Sequence, residues 1–280
     1  MTDHVAYLEA KRGVDDRSLS RRALRRAFEP LPDEPRILEV GAGTATMVER
    51  LHEWDVLDAG EWIAVDSHAG AIRRGRERLL ARADARPLDG AGANGASRSS
   101  SDGRSDRGVA LGDLEVELVR ADAFAHAERA EPASLLVGCA FFDVVDLGRL
   151  SAFEPLADRV YAPITYDGTT RFEPADPEDD RVLGTYREHM ARCRPGSPDG
   201  GEALRAALSA VETAARSPWV IEPPYRAGER VVVEHVLGAI ESAVGELGVD
   251  ASAWAGRRRR QLAADELRYR AENVDVVGRL

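Results

Sequence analysis

Residues 37–47 have the sequence Ile-Leu-Glu-Val-Gly-Ala-Gly-Thr-Ala-Thr-Met, and this stretch decides the predicted fold. It opens with an apolar run that holds one acid, Glu39, which is typical of a buried parallel strand. Gly41 and Gly43 follow, and glycine permits both a tight turn and a close approach of the backbone to a ligand. Residues 44–51 predict the helix that leaves this turn. The stretch therefore predicts the strand, glycine turn and helix of a nucleotide-binding α/β protein.

Two positions in this stretch argue against a dinucleotide. A dinucleotide site prefers a third glycine at the sixth position of the turn, where the helix N-terminus receives the pyrophosphate, and Thr46 stands there. Glu39 would also place a carboxylate beside the ligand, which suits a cationic, zwitterionic tail. A nicotinamide-dependent oxidoreductase is therefore the weaker alternative.

The same residues resemble the first motif of the class I S-adenosylmethionine-dependent methyltransferases. That motif has the form acid-x-Gly-x-Gly-x-Gly/Ala, and Glu39, Gly41, Gly43 and Ala45 match it. The resemblance implies a Rossmann-like α/β fold, in which a seven-stranded, mostly parallel sheet has helices on both faces, an antiparallel last strand and added helices. It also implies S-adenosylmethionine as the cofactor, with its methionine tail held by Glu39 and the glycine turn, including Thr44.

A second acid follows at the spacing that the family uses. Residues 62–66 predict a second strand that ends in Asp66, and the resemblance makes this carboxylate the acceptor of the ribose hydroxyl protons. Ser67, in the same predicted cofactor site, and His68 open the next helix. A plainer interpretation is that Asp66 is only a helix N-cap.

A third acid follows the third predicted strand, residues 114–119. The resemblance makes Asp122 the adenine-binding acid, with Ala123 beside it and Phe124 packed on the ring. Asp122 could equally be an ordinary turn residue. The three positions together favour the cofactor site, because strand, turn, helix, strand and acid arrive in the expected order.

Composition narrows the class of protein. The chain has 280 residues, 44% of them apolar, which is enough to bury a full core. Its formal charge of −11 disfavours a nucleic-acid or anionic-membrane partner and favours a small-molecule acceptor. Lys11 is the only lysine, and this acidic, arginine-rich composition suggests an acidic proteome. Two cysteines and the lack of zinc-ligand spacing predict neither a disulfide framework nor a metal site.

The domain organisation predicted is one elaborated domain. Residues 1–30 carry helical patterns and form either a lid over the cofactor or a scaffold, and residues 31–280 form the methyltransferase domain. Residues 87–108 are rich in Gly, Ser, Asp and Ala and predict a flexible insertion, while residues 165–201 predict an acceptor-side insertion. The absence of a signal peptide or a long apolar run predicts a cytoplasmic location, and a homodimer is left open.

The fourth predicted strand, residues 134–140, ends beside two acids. In this superfamily the end of the fourth strand faces the transferring methyl group, so Asp143 is a candidate to orient or deprotonate the acceptor. Asp143 could instead belong to the first turn of the next helix, and that interpretation is preferred for Asp146.

Further acceptor-side candidates follow the fifth predicted strand, residues 159–164. Turn chemistry at Asp167 and Gly168 predicts a hairpin over the active site. The candidate pocket residues are Tyr166, Arg171, Tyr186, His189 and Trp219. His189 is the candidate that could take a proton from the acceptor, although a lone histidine is more often a packing or surface residue.

The remaining pattern completes the predicted sheet. It predicts a helix over residues 202–215, a sixth strand at 219–221, two helices and a seventh, antiparallel strand at 266–277. Four consecutive arginines, 257–260, favour a solvated cationic patch.

The chemistry that the resemblance implies is direct in-line methyl transfer to an unidentified small molecule. The cofactor's sulfonium is already a good leaving group, so alignment and exclusion of water are the main tasks of the protein. A non-catalytic S-adenosylmethionine-binding regulatory protein remains the chief alternative, because a dedicated base is not required.

Overall fold

The computed structural model describes residues 3–88 and 108–280, and its elements follow in chain order. The helices are α1 (His4–Ser18), α2 (Arg21–Phe28), α3 (Thr46–Glu53), α4 (Ala69–Leu80), α5 (Ala123–Ala127), α6 (Asp179–Cys193), α7 (Gly200–Ala207), α8 (Glu229–Glu246) and α9 (Ser252–Ala263), with a 3₁₀ helix at Leu147–Phe153. The strands are β1 (Arg36–Val40), β2 (Ala59–Asp66), β3 (Ala85–Pro87), β4 (Gly108–Leu111), β5 (Asp113–Arg120), β6 (Leu135–Val137), β7 (Arg159–Glu173), β8 (Ala210–Arg216), β9 (Trp219–Ile221) and β10 (Arg268–Arg279).

All of these strands belong to one sheet, in the order β3-β4-β5-β2-β1-β6-β7-β10-β8, with β9 also paired to β10. The five strands from β5 to β7 are parallel, and β10 runs antiparallel to β7 and β8. This arrangement confirms the predicted Rossmann-like α/β class with its antiparallel last strand. The β3–β4 hairpin and β8 extend the predicted seven strands to ten within the described residues.

The central strands are apolar on both faces because helices cover both faces of the sheet. Along β1, Ile37 packs into one core cluster, whereas Leu38 and Val40 pack into a second cluster on the opposite face. Trp62 and Ile63 of β2 divide between the two clusters in the same way. Alternation with a period of two is what a pleated strand imposes, and burial of both faces explains the nearly continuous apolar run.

The strand order reverses beside β1. From β1 the chain passes to β2 and β5 on one side, and it then crosses to β6 and β7 on the other. In open α/β sheets, ligands bind beyond the carboxyl ends of the strands at such a switch point. Glu39, Asp66 and Asp122 lie at or just beyond the carboxyl ends of three neighbouring strands, β1, β2 and β5.

The predicted hairpin after the fifth strand is wrong. The strand β7 continues through Asp167 and Gly168 to Glu173, and it pairs with β10 along most of its length. The pairing moves from Tyr166 opposite Asn273 to Thr170 opposite Ala271, so residues 167–169 form a bulge facing one residue of β10. Gly168 accommodates this bulge with a φ of 91°. A long partner strand thus overrides the local turn chemistry.

The predicted helix over residues 202–215 is also wrong in its second half. The helix α7 ends at Ala207, and β8 then pairs with Val274–Arg279 of β10. The alanine-rich sequence favours a helix locally, but β10 offers unpaired backbone groups that a strand can satisfy.

The predicted flexible insertion, residues 87–108, begins and ends inside the sheet. Pro87 and Gly108 belong to β3 and β4, and Pro87 pairs with Val109. The sequence pattern missed this hairpin, and residues 89–107 lie outside the described part of the chain. The division of the chain at residue 30 stays a prediction.

The predicted solvated arginine patch is wrong for Arg258, whereas the side chains of Arg257 and Arg259 are 35% exposed. Arg257 pairs with Asp176 at 2.6 Å, and Arg259 pairs with Glu234 at 2.7 Å. Arg258 is fully buried and pairs with both carboxylate oxygens of Asp179. These pairs join α9 to α6, to the loop before it and to α8, so the arginines form structural contacts.

Candidate functional site

A cavity of about 870 Å³ opens at the carboxyl ends of the central strands. All of the residues predicted to bind the cofactor line it: Glu39, Gly41, Gly43, Thr44, Asp66, Ser67, Asp122, Ala123 and Phe124. They come from three separate stretches of sequence, and the switch in strand order brings these stretches together. Their roles toward a ligand stay predictions, but the structure gathers them around one space.

The glycine turn after β1 has a backbone that glycine suits. The φ angles of Gly41 and Gly43 are 65° and 57°, in the left-handed region that side chains with a Cβ rarely adopt. A Cβ on Gly41 would also lie 2.5 Å from Cδ2 of Phe141. The amide of Ala42 donates to the carbonyl of Val65 over 3.0 Å, which fixes the turn against β2.

Glu39 is a buried acid at the carboxyl end of β1. Only 1% of the residue is exposed, and its Oε2 accepts a hydrogen bond of 2.9 Å from Nε1 of Trp62. Burial raises the pKa of Glu39 to about 8, although the Trp62 hydrogen bond and the charge of Arg50 oppose the rise. A buried carboxyl that lacks a cationic partner favours its neutral form, so a bound cation would favour ionisation.

Asp66 connects β2 to the glycine turn. Its Oδ2 accepts from the amide of Gly43 at 2.8 Å, and its Oδ1 accepts from the amide of His68 at 2.7 Å. The N-cap of α4 is His68, whose Nδ1 accepts from the amide of Ala71 at 3.0 Å. Asp66 is therefore not the cap itself. Each carboxylate oxygen can accept more than one hydrogen bond, so both remain able to accept from a ligand hydroxyl.

Asp122 is the N-cap of the short helix α5. Its Oδ1 accepts from the amides of Phe124 and Ala125 at 3.1 and 3.0 Å. Asp122 therefore has a structural role as a helix cap, and it also lines the cavity. Phe124 packs on Phe153 with ring centroids 5.2 Å apart, and the guanidinium of Arg149 lies 3.8 Å from its ring centroid.

Most acceptor-side candidates line the same cavity. This group contains Asp143, Tyr166, Tyr186, His189 and Trp219. Arg171 does not line it and is the exception. It is exposed on β7 opposite Arg270 and borders a separate depression of about 520 Å³. The prediction of Arg171 as a residue of this pocket is wrong.

Asp143 and His189 each present a buried polar atom without a hydrogen-bond partner. His189 is 1% exposed, and its Nε2 lies 2.7 Å from Oε2 of Glu246, whereas its Nδ1 is unpartnered. Oδ1 of Asp143 is also buried and unpartnered. Burial raises the pKa of Asp143 to about 6. Unpartnered buried polar atoms are rare in folded proteins, so these two atoms are suited to contact a ligand.

The helix α1 forms one wall of the cavity through His4, Tyr7, Leu8 and Lys11. Leu8 covers the glycine turn, since its Cδ1 lies 3.3 Å from the place where a Cβ of Gly43 would stand. Ion pairs hold the helix in place, among them Arg12 with Glu49 at 2.9 Å. The helix is therefore scaffold and cover at once.

Lys11 lines the cavity, although the sequence pattern did not predict it as a site residue. Its Nζ pairs with Oδ2 of Asp15 at 3.1 Å and lies 5.6 Å from the ring centroid of Trp219. Nε1 of Trp219 donates to Oδ1 of the same aspartate at 3.0 Å. Burial lowers the pKa of Lys11, but the charge of Asp15 outweighs it and the pKa is raised. The sequence feature that could have pointed to this residue is that Lys11 is the only lysine in an arginine-rich chain.

Two kinds of feature are not found among residues 3–88 and 108–280. No helix there is long and apolar enough to cross a membrane. Within the same ranges, no group of three or more histidine, cysteine or acidic side chains has the arrangement of a metal site.

No protein-family model and no curated protein sequence matches this chain. Among solved structures, a candidate methyltransferase from Bacillus halodurans C-125 has a TM-score of 0.49 at 10% identity, covering 92% of this chain and 96% of its own. An S-adenosylmethionine-dependent methyltransferase from Thiobacillus denitrificans, in complex with S-adenosyl-L-homocysteine, has a TM-score of 0.44 at 12% identity, with coverages of 94% and 93%.

A third structure, the geranyl diphosphate C-methyltransferase from Streptomyces coelicolor A3(2), has a TM-score of 0.43 at 12% identity, with coverages of 92% and 78%. Similarity at these scores does not by itself establish an activity for this chain. Strand order, strand direction and the cavity at the switch point are what identify the fold as Rossmann-like.

Proposed function

We propose that the protein is an S-adenosylmethionine-dependent methyltransferase that acts on a small molecule. One observation carries the proposal: Glu39, Asp66 and Asp122, at the ends of three neighbouring strands, line a single cavity together with the glycine turn. The cavity, at about 870 Å³, lies toward the upper end of the range of small-molecule sites, about 300–1,000 Å³. It therefore has room for a nucleoside and a second molecule.

The residues present fit this donor chemically. Glu39 is a buried acid that accepts a hydrogen bond from Trp62 but has no cationic partner in the described part of the chain. The donor's amino group would supply that cation. The Asp66 carboxylate, already fixed by two backbone amides, would receive ribose hydroxyls. Asp122 and Phe124 would border the adenine.

The donor would supply an electrophilic methyl group on a sulfonium, and the protein would supply alignment and a dry site. The helix α1 excludes water from the glycine turn through Leu8. His189 Nδ1 and Asp143 Oδ1 would be the atoms that orient an acceptor or receive its proton. Holding reacting groups in position accounts for a large part of the rate gain in such reactions.

The function is tested by incubating the protein with S-adenosylmethionine carrying a labelled methyl group and a metabolite extract from the source organism. Transfer of label to a low-molecular-weight product supports an enzyme. The Gly41→Val variant should not transfer label, because a Cβ at Gly41 meets Phe141 and requires a strained φ. Tight donor binding with no transfer to any extract fraction would instead favour a regulatory binding protein.

Donor binding should become tighter as the pH rises from 6 to 8. The pKa of Glu39 is raised to about 8 in the free protein, so the carboxyl is mostly neutral below that pH and must lose its proton when a cation binds. Linkage then predicts that affinity increases toward about tenfold per pH unit well below pH 8 and levels off above it. Calorimetry with S-adenosylhomocysteine, whose amino group is the cation, measures the slope.

The Glu39→Gln variant is the matched control, since it keeps the hydrogen-bond acceptor for Trp62 and removes the titration. Its affinity should be weaker at pH 8 and should change less between pH 6 and 8. The difference in pH slope between the two proteins gives the contribution of Glu39 apart from the contributions of Asp143 and the cavity histidines. Equal pH slopes for the two proteins would contradict the role of Glu39.

A further inference from the structure

One side of the cavity is lined mainly by aromatic rings. Four of the six tyrosines in the chain line it, and Trp219 is beside them. We call this surface the aromatic wall and define it as Tyr7, Tyr166, Tyr186, Trp219 and Tyr269. These residues come from five different elements, α1, β7, α6, β9 and β10, so the wall is a product of the tertiary fold.

The tyrosines of the aromatic wall are neutral rings. Burial raises the pKa of both Tyr7 and Tyr186 to about 12, and it also raises the pKa of Tyr269. Their rings therefore carry no phenolate charge at neutral pH. A neutral aromatic ring has a negative face, which attracts cations and repels anions.

A carboxylate lies beside this wall. Asp143 is close enough to Tyr7, Tyr166 and Tyr186 to interact electrostatically with each of them. Glycines hold it in position: a Cβ on Gly200 would lie 2.5 Å from the Cβ of Asp143.

Asp143 has no cationic partner of its own within the described residues. Lys11 and Arg194 also line the cavity, but the Nζ of Lys11 is 3.1 Å from Asp15, and no ion pair joins either cation to Asp143. With Oδ1 buried and unpartnered, the carboxylate is a charge without a counter-ion. Such a group is costly to bury unless a ligand completes it.

We propose that the acceptor is an amine, bound as an ammonium between Asp143 and the aromatic wall. This inference rests on the proposed methyltransferase function and adds the chemical class of the acceptor. An ammonium gains a charge-assisted hydrogen bond from the carboxylate and cation–π attraction from the rings, and a neutral hydroxyl gains neither in full.

His189 completes the site in a way that suits an amine. The acceptor nitrogen must give up a proton before its lone pair is free, and Nδ1 of His189 is an unpartnered, buried acceptor on the same cavity. Glu246, 2.7 Å from Nε2, holds the ring so that Nδ1 is the nitrogen without a partner among the described residues. An anionic acceptor would instead meet the negative faces of the wall and the charge of Asp143.

The test is calorimetry on the protein saturated with S-adenosylhomocysteine. The probes are phenethylamine and tryptamine, each compared with its carboxylate counterpart, 3-phenylpropionate and indole-3-propionate, and with 2-phenylethanol as the neutral analogue. We expect at least one amine to bind at least tenfold more tightly than its carboxylate and than the alcohol. We also expect Asp143→Asn to abolish this preference, while S-adenosylhomocysteine still binds it.

The Asp146→Asn variant is the matched control, because Asp146 is an exposed helix cap outside the cavity and asparagine also caps well. It should keep the preference for amines. Tighter binding of the carboxylates, or no amine binding at millimolar concentration, would overturn the amine inference, and so would an unchanged preference in Asp143→Asn. Each of these results leaves S-adenosylhomocysteine binding intact, whereas failure of that first titration in the wild type would overturn the proposed function itself.

Discussion

The Arg258→Met variant is expected to lose about 3–5 kcal/mol of unfolding free energy, the cost of breaking a buried ion pair by removing one partner. Arg258 is fully buried in α9, where it contacts both carboxylate oxygens of Asp179 and the carbonyl of Pro174 at 2.6 Å. Methionine fills similar volume but leaves Asp179 with a single side-chain donor, Trp254. Denaturant titration measures the loss.

The Arg260→Met variant is the control for this prediction. Arg260 is exposed two positions along the same helix, so it shares the helix propensity and charge change but not the burial. Its unfolding free energy should change by less than about 0.5 kcal/mol, as for most surface substitutions. Similar losses in the two variants would show that the buried pair contributes no more than a surface charge.

The Asp66→Ala variant is expected to bind S-adenosylhomocysteine about 100-fold more weakly, which corresponds to about 2.7 kcal/mol. Two effects combine here. The side chain would no longer receive ligand hydroxyls, and the amides of Gly43 and His68 would lose the carboxylate that positions the turn. Hydrogen bonds to charged groups contribute about 1.5–3 kcal/mol each, so one or two of them account for the loss.

The Asp113→Ala variant controls for the loss of an aspartate near this sheet. Asp113 is exposed at the amino end of β5, opposite Ala59 in β2, whereas Asp66 lies at the carboxyl end of β2. Its affinity for S-adenosylhomocysteine should match that of the wild type. An Asp66→Ala protein that is folded and binds as tightly as the wild type would contradict the assignment of Asp66 to the ribose.

The cofactor half of the fold could be predicted because its determinants are local. The apolar run before Gly41, the glycines themselves and the acid that ends the second strand each depend on a few adjacent residues. The sheet then collects these segments, since the carboxyl ends of parallel neighbours meet at one edge. Local pattern and tertiary arrangement agree there.

The acceptor half could not be predicted in the same way, because its structure depends on distant partners. The sequence Asp167-Gly168 favours a turn. The segment instead forms a bulged strand because it pairs with β10, about a hundred residues further along the chain. The run of arginines predicted a solvated charge at Arg258, but the residue is buried because Asp179, on another helix, is its counter-ion. Lys11 lines the cavity because α1 packs against it, and the sequence of α1 alone does not specify that packing.

The most direct test of this account is isothermal titration of the wild-type protein with S-adenosylhomocysteine, and separately with NAD⁺, at pH 8. We expect S-adenosylhomocysteine to bind with a stoichiometry of about one and NAD⁺ to give no binding, because Glu39 suits the amino group of the first ligand and Thr46 replaces the glycine that a pyrophosphate favours. Binding of NAD⁺ alone, or of neither ligand, would contradict the claim that Glu39, Asp66 and Asp122 surround a sulfonium donor.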